Sequence, residues 1–515
     1  MTEISTEESA LSRYKRKAIG AFFTPAVQAD YMVRRNDLHK KWAKGASILD
    51  PTAGRGSLLE SLIRVSREEK IEITPLMLKH LHGVEREEEF PMGFPERMSR
   101  TWGVNFSDNP IRRGDILSEE SDEKADIIFG NPPWVNFTDL PDKEKDEIKP
   151  YFLKYGLAQS AGTLLLGNSR IDLAALIIMK TLHSNLKRDG EAYFFIPLSL
   201  ILNEGAHNVF RKGELKNNCF SLREIWDYNG FEIFPGVTAR CGLIHLKNGI
   251  AMEEKPIPYH SMRKNSCWKD LLASPIAGRG SAYISRDPRK KALPPVPQIG
   301  IPKESIPRQG VNTGGRNSLF IFNSCIPGEN GLCTLSNKER EVLLPQELIY
   351  PLLTAKQFKD QAAPCRYIFM PYSSEGRVLS SEELKLYPSA LKYIENNRKL
   401  LISRKGVMLQ SQIKKGTYWS LMGVGAYTFF PWKIIWEAYG KKEFTPCLFG
   451  KKDEKPWIPN QALQAFCPFK EKETALKFLK EFKNPAINIL LQNQNMQGTC
   501  NWAQPGRIKV FLDIQ

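Results

Sequence analysis

The chain has 515 residues, 42% of them apolar and 10% aromatic, with a net charge of +16, which predicts a folded protein of roughly two to four domains. Its longest apolar runs are too short to cross a bilayer, and "MTEISTEESALSRYKRKAIG" contains no signal-peptide core, so we expect a cytoplasmic protein without membrane association. Nine cysteines without a CxxC pair and seven scattered histidines argue against a disulfide framework and against a metal site.

The excess positive charge is confined to the second half of the chain. Residues 1–250 carry 34 Lys and Arg against 35 Asp and Glu, whereas residues 251–515 carry 39 against 22. A basic half beside a neutral half is typical of a protein that holds a polyanion with one part and performs chemistry with the other. Charge alone does not distinguish DNA from RNA.

Short apolar runs alternate with longer amphipathic ones between residues 47 and 247. The short runs predict strands and are "SILDPTAG", "LHGVE", "ADIIFGNPPW", "EAYFFIPLSLI", "LREIWDYNG" and "RCGLIHLKNG". Two runs predict helices, "SLLESLIRVSREE" and "IDLAALIIMKTLHSNLKRDG", the second closed by Gly190. This alternation predicts an α/β fold with a mostly parallel sheet, helices on both of its faces and ligands beyond the carboxyl ends of the strands.

The alternation of apolar and amphipathic runs is lost after residue 255. Residues 274–308 contain seven prolines and little periodicity, which indicates a connecting segment. We therefore expect an N-terminal tail over residues 1–18, a first domain over residues 19–255 and a mixed α+β domain over residues 256–515.

The run "ILDPTAGRG" combines a strand, a turn with Gly54 and Gly56, and a helix start. Glycines let a ligand approach the backbone, and the first turn of a helix offers free N–H groups. The strand ends in Asp50, whose charge would repel a pyrophosphate but suits a cationic ligand. A sulfonium cofactor therefore fits this turn better than a dinucleotide.

Two further acids follow later strands. Glu85 closes "LHGVE" and could accept hydrogen bonds from both hydroxyls of a ribose. Asp115, in "RRGDIL", could accept one from the amino group of an adenine. Each acid alone is more often a solvated strand-end residue. Three on successive strand ends, followed by an unusual turn, favour a nucleoside-containing cofactor.

The unusual turn is "NPPW". Its two prolines supply carbonyls without N–H groups, so the turn accepts hydrogen bonds and hardly donates any. The amide oxygen of Asn131 and the carbonyl of Pro132 could accept the two hydrogens of a base amino group and free its lone pair for attack on a methyl sulfonium. Pro133 completes the turn, and Trp134 offers a flat face whose stacking on a base is worth ~1–3 kcal/mol. The alternative is an ordinary Pro-Pro turn with a core tryptophan.

"NPPW" behind "DPTAGRG" and "GVE" resembles the N6-adenine DNA methyltransferases that use S-adenosylmethionine. Upstream, "GAFFTPAVQADYMV" resembles the family segment that packs over the methionine end of the cofactor, which implies that Thr24 and Phe22 lie at the site. Downstream, "DYNGFEIFPGVTARCGLIHLKNG" resembles the segment whose aromatic residue stacks on the flipped adenine, and Phe234 matches it. The order of segments is that of the gamma group, and pieces of the second half resemble the TaqI-type target-recognition domain.

The resemblance implies a Rossmann-like class I methyltransferase sheet in residues 19–255 and a recognition domain in residues 256–515. It implies a site-specific enzyme that flips an adenine out of double-stranded DNA and methylates its amino group. S-adenosylmethionine would be the cofactor, and a restriction endonuclease of a restriction-modification or phage-defence system the partner. Trp134 departs from the commoner Tyr or Phe, but Asn131 favours adenine because cytosine-N4 enzymes generally carry Ser there.

Two other functions fit parts of the pattern. Turns of the NPP-aromatic type also serve amino groups in ribosomal RNA and glutamine amides in proteins, so an RNA or protein methyltransferase remains an alternative. A catalytically silent DNA-binding subunit is the second alternative, and the intact run of cofactor residues argues against it.

Overall fold

The computed structural model describes residues 23–119, 123–158, 171–215, 217–234, 237, 239–253, 255–264, 267–360, 363–439, 443–461, 464–494 and 502–515. The chain divides into two compact units, Met1–Ala292 and Leu293–Gln515. The boundary falls inside the proline-rich segment 274–308, later than the end expected for the first domain at residue 255.

Helices and strands alternate along the described part of the first unit. Its helices are α1 (Ala26–Arg35), α2 (Leu38–Ala43), α3 (Ser57–Glu68), α4 (Pro75–Lys79), α5 (Phe94–Trp102), α6 (Asp142–Lys154), α7 (Leu173–Ser184), α8 (Ser199–Leu202) and α9 (Asn208–Lys212). Its strands are β1 (Ile48–Asp50), β2 (Leu81–Glu85), β3 (Ile111–Arg113), β4 (Ala125–Gly130), β5 (Leu186–Pro197), β6 (Glu214–Leu215), β7 (Asn218–Asp227), β8 (Cys241–Asn248), β9 (Ile257–Met262), β10 (Trp268–Pro275) and β11 (Tyr283–Arg286).

These strands form one sheet in the order β11-β10-β9-β7-β8-β5-β4-β1-β2-β3, with β6 paired to β7. Strands β3, β2, β1, β4 and β5 run parallel, and β8 is inserted antiparallel between β5 and β7. The chain order reverses at β1, which lies between β2 and β4. Such a reversal opens a crevice at the carboxyl edge of a sheet. The α/β fold predicted from the sequence, with its mostly parallel inner strands, is confirmed.

The sheet is buried on both faces. Ile127 and Phe129 of β4 belong to a core cluster together with side chains of α1 to α5. Ile128 and Phe194 point to the opposite face and are also fully buried, and α7 contacts β5. Burial of four successive residues, Ile127 to Gly130, explains why the second part of β4 is an apolar run.

Strands β9 to β11 extend the sheet beyond the boundary expected after residue 255. Ile225 of β7 pairs in parallel with Tyr259 of β9. The ring of His260 lies between two carboxylates of neighbouring strands, 2.6 Å from Glu224 and 2.7 Å from Asp270. These outer strands are more polar than the inner ones, so the sequence there lacks the apolar pattern that marks a sheet core.

Two expected boundaries around β5 are wrong. Helix α7 ends at Ser184 rather than at Gly190, because Asn185 accepts a hydrogen bond from the backbone of Ala125 at 2.8 Å and the chain joins the sheet at once. The run "EAYFFIPLSLI" was expected to be strand throughout, but Ser199–Leu202 form a helix after Pro197 ends β5. Strand pairing determines the first boundary, and local apolar composition does not reveal it.

The second unit mixes short helices with small sheets, as expected for a mixed α+β domain. Its helices are α10 (Asn317–Phe320), α11 (Ala355–Lys359), α12 (Ser381–Leu384), α13 (Pro388–Asn396), α14 (Arg398–Ile402), α15 (Val407–Lys414), α16 (Lys472–Phe482), α17 (Pro485–Gln494) and α18 (Pro505–Ile508). Its strands are β12 (Ile299–Ile301), β13 (Arg308–Gln309), β14 (Ile321–Phe322), β15 (Ser324–Pro327), β16 (Leu332–Ser336), β17 (Glu341–Pro345), β18 (Ile349–Leu353), β19 (Arg366–Phe369), β20 (Trp432–Glu437), β21 (Cys447–Phe449), β22 (Lys451–Lys452), β23 (Lys455–Pro456), β24 (Ile458–Pro459), β25 (Gln464–Phe469) and β26 (Leu512–Ile514).

These strands form five sheets, β13-β25-β20-β21, β14-β19-β18-β24, β15-β16-β17, β12-β26 and β22-β23. Across the described residues of both units, every helix is too short or too polar to pass through a lipid bilayer. The same residues hold no group of three or more His, Cys, Asp or Glu side chains arranged for a metal ion.

Candidate functional site

A pocket with an empty volume of about 1110 Å³, open to solvent, lies at the carboxyl edge of the inner strands. Most of the residues singled out from the sequence line it. They are Thr24, Asp50, Gly54, Glu85, Asp115, Asn131 and Pro133. Four separate strand ends therefore bring the predicted residues to one place, as the rule for parallel sheets requires.

The glycine turn forms one wall of this pocket. Gly54 has a φ of 55°, and a Cβ there would lie 3.0 Å from the ring of Phe23. The backbone N–H of Gly54 donates to Glu85 Oε2 at 2.7 Å. Glu85 thus ties the end of β2 to the turn after β1, and only a glycine fits the turn without strain.

Asp50 is a buried acid, and Glu85 is half-buried. Glu85 Oε1 accepts from the backbone N–H of Glu87 at 2.8 Å, so both of its carboxylate oxygens already face backbone donors. Burial nevertheless raises the pKa of Glu85, because these two bonds offset the lost hydration only in part.

Asp50 is more deeply buried than Glu85. It is 1% exposed, and its Oδ1 accepts from the backbone N–H of Thr52 at 3.1 Å. Burial, with a smaller contribution from the charge of Glu85, raises the pKa of Asp50 to about 8. Two neighbouring acids held in this way favour a positively charged ligand, which would restore the stability of both carboxylates.

Asp115 follows β3 at the same edge. Its Oδ1 accepts from the backbone N–H of Leu117 at 2.9 Å, which fixes the carboxylate at the lining of the pocket. The three acids predicted to bind a nucleoside cofactor therefore share one cavity.

Asn131 begins the NPPW turn where β4 stops. Gly130, the last residue of β4, lies against Pro51 and Phe194, so that a Cβ would approach them to 3.0 and 3.1 Å. The side-chain Nδ2 of Asn131 donates to Thr24 Oγ1 at 3.1 Å. The end of β4 thus places the Asn131 amide in the pocket, where Thr24, which precedes α1, accepts its hydrogen bond.

The two aromatic residues named from the sequence contact each other. The rings of Trp134 and Phe234 lie 4.9 Å apart between centroids, at 75°. Phe234 is 1% exposed and also packs edge-on against Phe195. This edge-to-face contact leaves no room for a purine between the two rings.

Several predicted residues lie away from the pocket lining. Gly56 caps α3 with a φ of 81°, and a Cβ there would meet Phe94 at 2.4 Å, so its role in the structure is packing. Pro132, Trp134 and Phe234 are outside the lining as well. Phe22 lies outside the described residues.

The pocket also contains residues that sequence reasoning missed. Phe23, next to Phe22, lines it and packs at 5.4 Å against Phe90 in an edge-to-face arrangement. Glu144 and Ile148 of α6 line it as well. Their spacing of four residues on a helix was the available signal, since it places both side chains on one face.

Residues 8–219 match the family described as N-6 DNA Methylase. Among curated proteins, the chain is 26% identical over 225 residues to "Type II methyltransferase M.HincII" of Haemophilus influenzae, covering 44% of this chain and 36% of that protein. It is 40% identical over 93 residues to "Type II methyltransferase M.NspV" of Nostoc sp., covering 18% of each. Over the matched segment, the resemblance to N6-adenine DNA methyltransferases is confirmed.

The chain spans less than half the length of these curated relatives. A solved structure covers more of it: the Type IIL restriction-modification enzyme MmeI in complex with DNA has a TM-score of 0.54 and 14% identity, covering 90% of this chain and 64% of that chain. At that identity the match shows a shared fold.

Proposed function

Starting from a catalytic segment of the N-6 DNA methylase type, we propose that this protein is a site-specific DNA adenine methyltransferase that serves as the modification enzyme of a restriction-modification or phage-defence system. The observation that carries the proposal is the convergence of Asp50, Glu85, Asp115 and Asn131 on one pocket at the carboxyl edge of the sheet. Three of these residues are acids suited to a cationic nucleoside, and the fourth carries an amide suited to an amino group.

The cofactor we propose is S-adenosylmethionine, which supplies a methyl group on a positively charged sulfur. The acids of the pocket fit it, because Asp50 and Glu85 both have raised pKa values that a cation would lower. Glu85 would hold the ribose hydroxyls and Asp115 the adenine amino group.

The reaction we propose takes place at the NPPW turn. The Asn131 oxygen and the Pro132 carbonyl accept the two hydrogens of the target amino group and draw its nitrogen towards tetrahedral geometry. The nitrogen lone pair is then available for attack. No strong general base is needed, because the proton becomes acidic only as the new C–N bond forms.

The target adenine must leave the duplex to reach this turn. We assign DNA binding to the basic second half, where residues 251–515 carry 39 Lys and Arg against 22 acids. Phosphate contacts would supply most of the affinity, and side chains at base edges the sequence preference.

Nucleoside analysis tests this proposal. We expect DNA from cells that express the chain to contain N6-methyladenine in one sequence context, and DNA from cells that express Asn131→Ala to contain none. N4-methylcytosine would contradict the choice of base. Methyl transfer into ribosomal RNA or a protein glutamine, with none into DNA, would favour the alternative methyltransferase.

The buried acid predicts a pH dependence of cofactor binding. Because a cationic ligand binds better to an ionised Asp50, we expect the affinity for S-adenosylmethionine to rise between about pH 6 and pH 8, by up to tenfold per pH unit. Below its raised pKa the Asp50 carboxyl is protonated and the attraction is lost. Isothermal titration calorimetry over this range measures the slope.

Asp50→Asn is the matched variant for this measurement. It keeps the size of the side chain but cannot ionise, so its affinity should be lower and nearly independent of pH. A wild-type affinity that does not change with pH would remove Asp50 from the electrostatics of the site.

A further inference from the structure

Thr24 connects the N-terminal segment to the catalytic turn. It lies two residues before α1, is 6% exposed, and accepts a hydrogen bond at 3.1 Å from the Nδ2 of Asn131, 107 residues later in the chain. Both residues line the same pocket. The resemblance implies that Thr24 lies at the cofactor, and in the structure its hydroxyl oxygen accepts from Asn131.

The orientation of the Asn131 amide decides whether its oxygen or its nitrogen faces a bound base. An amide has an acceptor oxygen on one side and a donor NH₂ on the other, and rotation about its last bond exchanges the two. A target amino group needs the oxygen, because an NH₂ would oppose two donors. A threonine hydroxyl can accept from the amide nitrogen or donate to the amide oxygen, and in this structure it accepts from the nitrogen, which turns the oxygen away from Thr24. Holding the side chain in this orientation raises the fraction of Asn131 side chains that are competent for catalysis.

Resting on the proposed function, we propose that Thr24 is a positioning residue for Asn131. It anchors the amide nitrogen, so the oxygen faces the place where the target amino group is held. In this role it acts through Asn131. Its loss therefore lowers the rate of methyl transfer without removing a catalytic group.

The test compares Thr24→Val, which keeps the shape without the hydroxyl, with Thr24→Ser, which keeps the hydroxyl. With saturating DNA and cofactor, we expect the single-turnover rate of Thr24→Val to fall about threefold to tenfold, the range that a neutral hydrogen bond supports. Thr24→Ser should restore most of the rate. Affinity for S-adenosylhomocysteine, measured by calorimetry, should stay within twofold of wild type in both.

Thr181→Val is the matched control. Thr181 is fully buried and donates its hydroxyl hydrogen to the Ile178 carbonyl at 3.0 Å, outside the pocket lining. It should lower the melting temperature as Thr24→Val does, but leave the single-turnover rate unchanged. Equal losses of rate in the two variants would mean that Thr24 has a structural role only.

A second measurement does not depend on catalysis. If the Thr24–Asn131 bond forms in solution, Thr24→Val should lower the melting temperature less in an Asn131→Ala background than in wild type. Additive losses of melting temperature would overturn the proposal even if DNA methylation were established. If Thr24→Val bound S-adenosylhomocysteine more weakly but kept its rate, Thr24 would be a cofactor-binding residue. That result would also overturn the proposal. Non-additive losses of melting temperature would show that the Thr24–Asn131 bond forms. If no DNA were methylated as well, the result would count against the proposed function and not against the bond.

Discussion

Asn131→Ala should abolish methyl transfer to DNA while changing the affinity for S-adenosylmethionine by no more than a few-fold. The substitution removes the acceptor that draws the target nitrogen out of conjugation, and losing one such preorganised group typically costs about a hundredfold to a thousandfold in rate. The acids that would hold the cofactor, Asp50 and Glu85, belong to other strands and keep their backbone partners. Rapid-quench single-turnover assays and calorimetry measure the two quantities separately.

Asn105→Ala is a suitable control for this experiment. Asn105 is an exposed asparagine that accepts a hydrogen bond from Ser99 at 2.6 Å and does not line the pocket. It should behave as wild type in both assays. Residual turnover of Asn131→Ala above a tenth of the wild-type rate would take Asn131 out of the mechanism.

Phe234→Ala should reduce methylation most on a fully paired duplex and least where the target adenine is already easy to extrude. Extrusion costs a few kcal/mol of stacking and pairing, and an aromatic ring that stacks on the extruded base recovers part of it. A target adenine opposite an abasic site should therefore partly rescue the variant. With 2-aminopurine at the target position, fluorescence should rise on binding to wild type and change its yield when Phe234 or Trp134 is replaced.

Phe234 is also part of the core, so a control for stability is essential. Replacing a buried phenylalanine by alanine typically costs about 3–5 kcal/mol. Phe210, likewise 1% exposed and packed against Phe220, lies outside the pocket lining. Phe210→Ala should lose comparable stability without rescue by an abasic site. Equal behaviour of the two variants would make Phe234 a packing residue only.

Much of the site could be predicted because its chemistry lies at the ends of parallel strands. Asp50, Glu85 and Asn131 stand where apolar runs stop, and the carboxyl ends of such strands meet at one edge. No knowledge of side-chain packing was needed for these assignments. The α/β alternation that located them also predicted the fold.

The other features of the site and fold depend on side-chain packing, which short sequence patterns do not show. Phe22 and Phe23 are the same residue type in adjacent positions, and the sequence pattern could not show that Phe23 lines the pocket. Gly56 has the conformation expected of a ligand-binding glycine, yet its neighbour is Phe94. The outer strands β9 to β11 are too polar to be recognised from the sequence as part of the sheet, and the end of the first domain was therefore placed at residue 255, before them.

The contact between Trp134 and Phe234 would affect discrimination between bases if these rings hold the target adenine. In this structure each ring covers the surface that the other would offer to a purine. If the two rings hold the target base, as the resemblance implies, they compete with it for the same surfaces. If only a fraction of molecules have the rings apart, the apparent affinity for an extruded base falls by that fraction. A base that gains little from the NPPW turn would not displace Phe234, whereas an adenine in the right sequence context would. Base selection would then include an energetic threshold, set by the contact between two aromatic rings, that is crossed before any hydrogen bond to the base is formed.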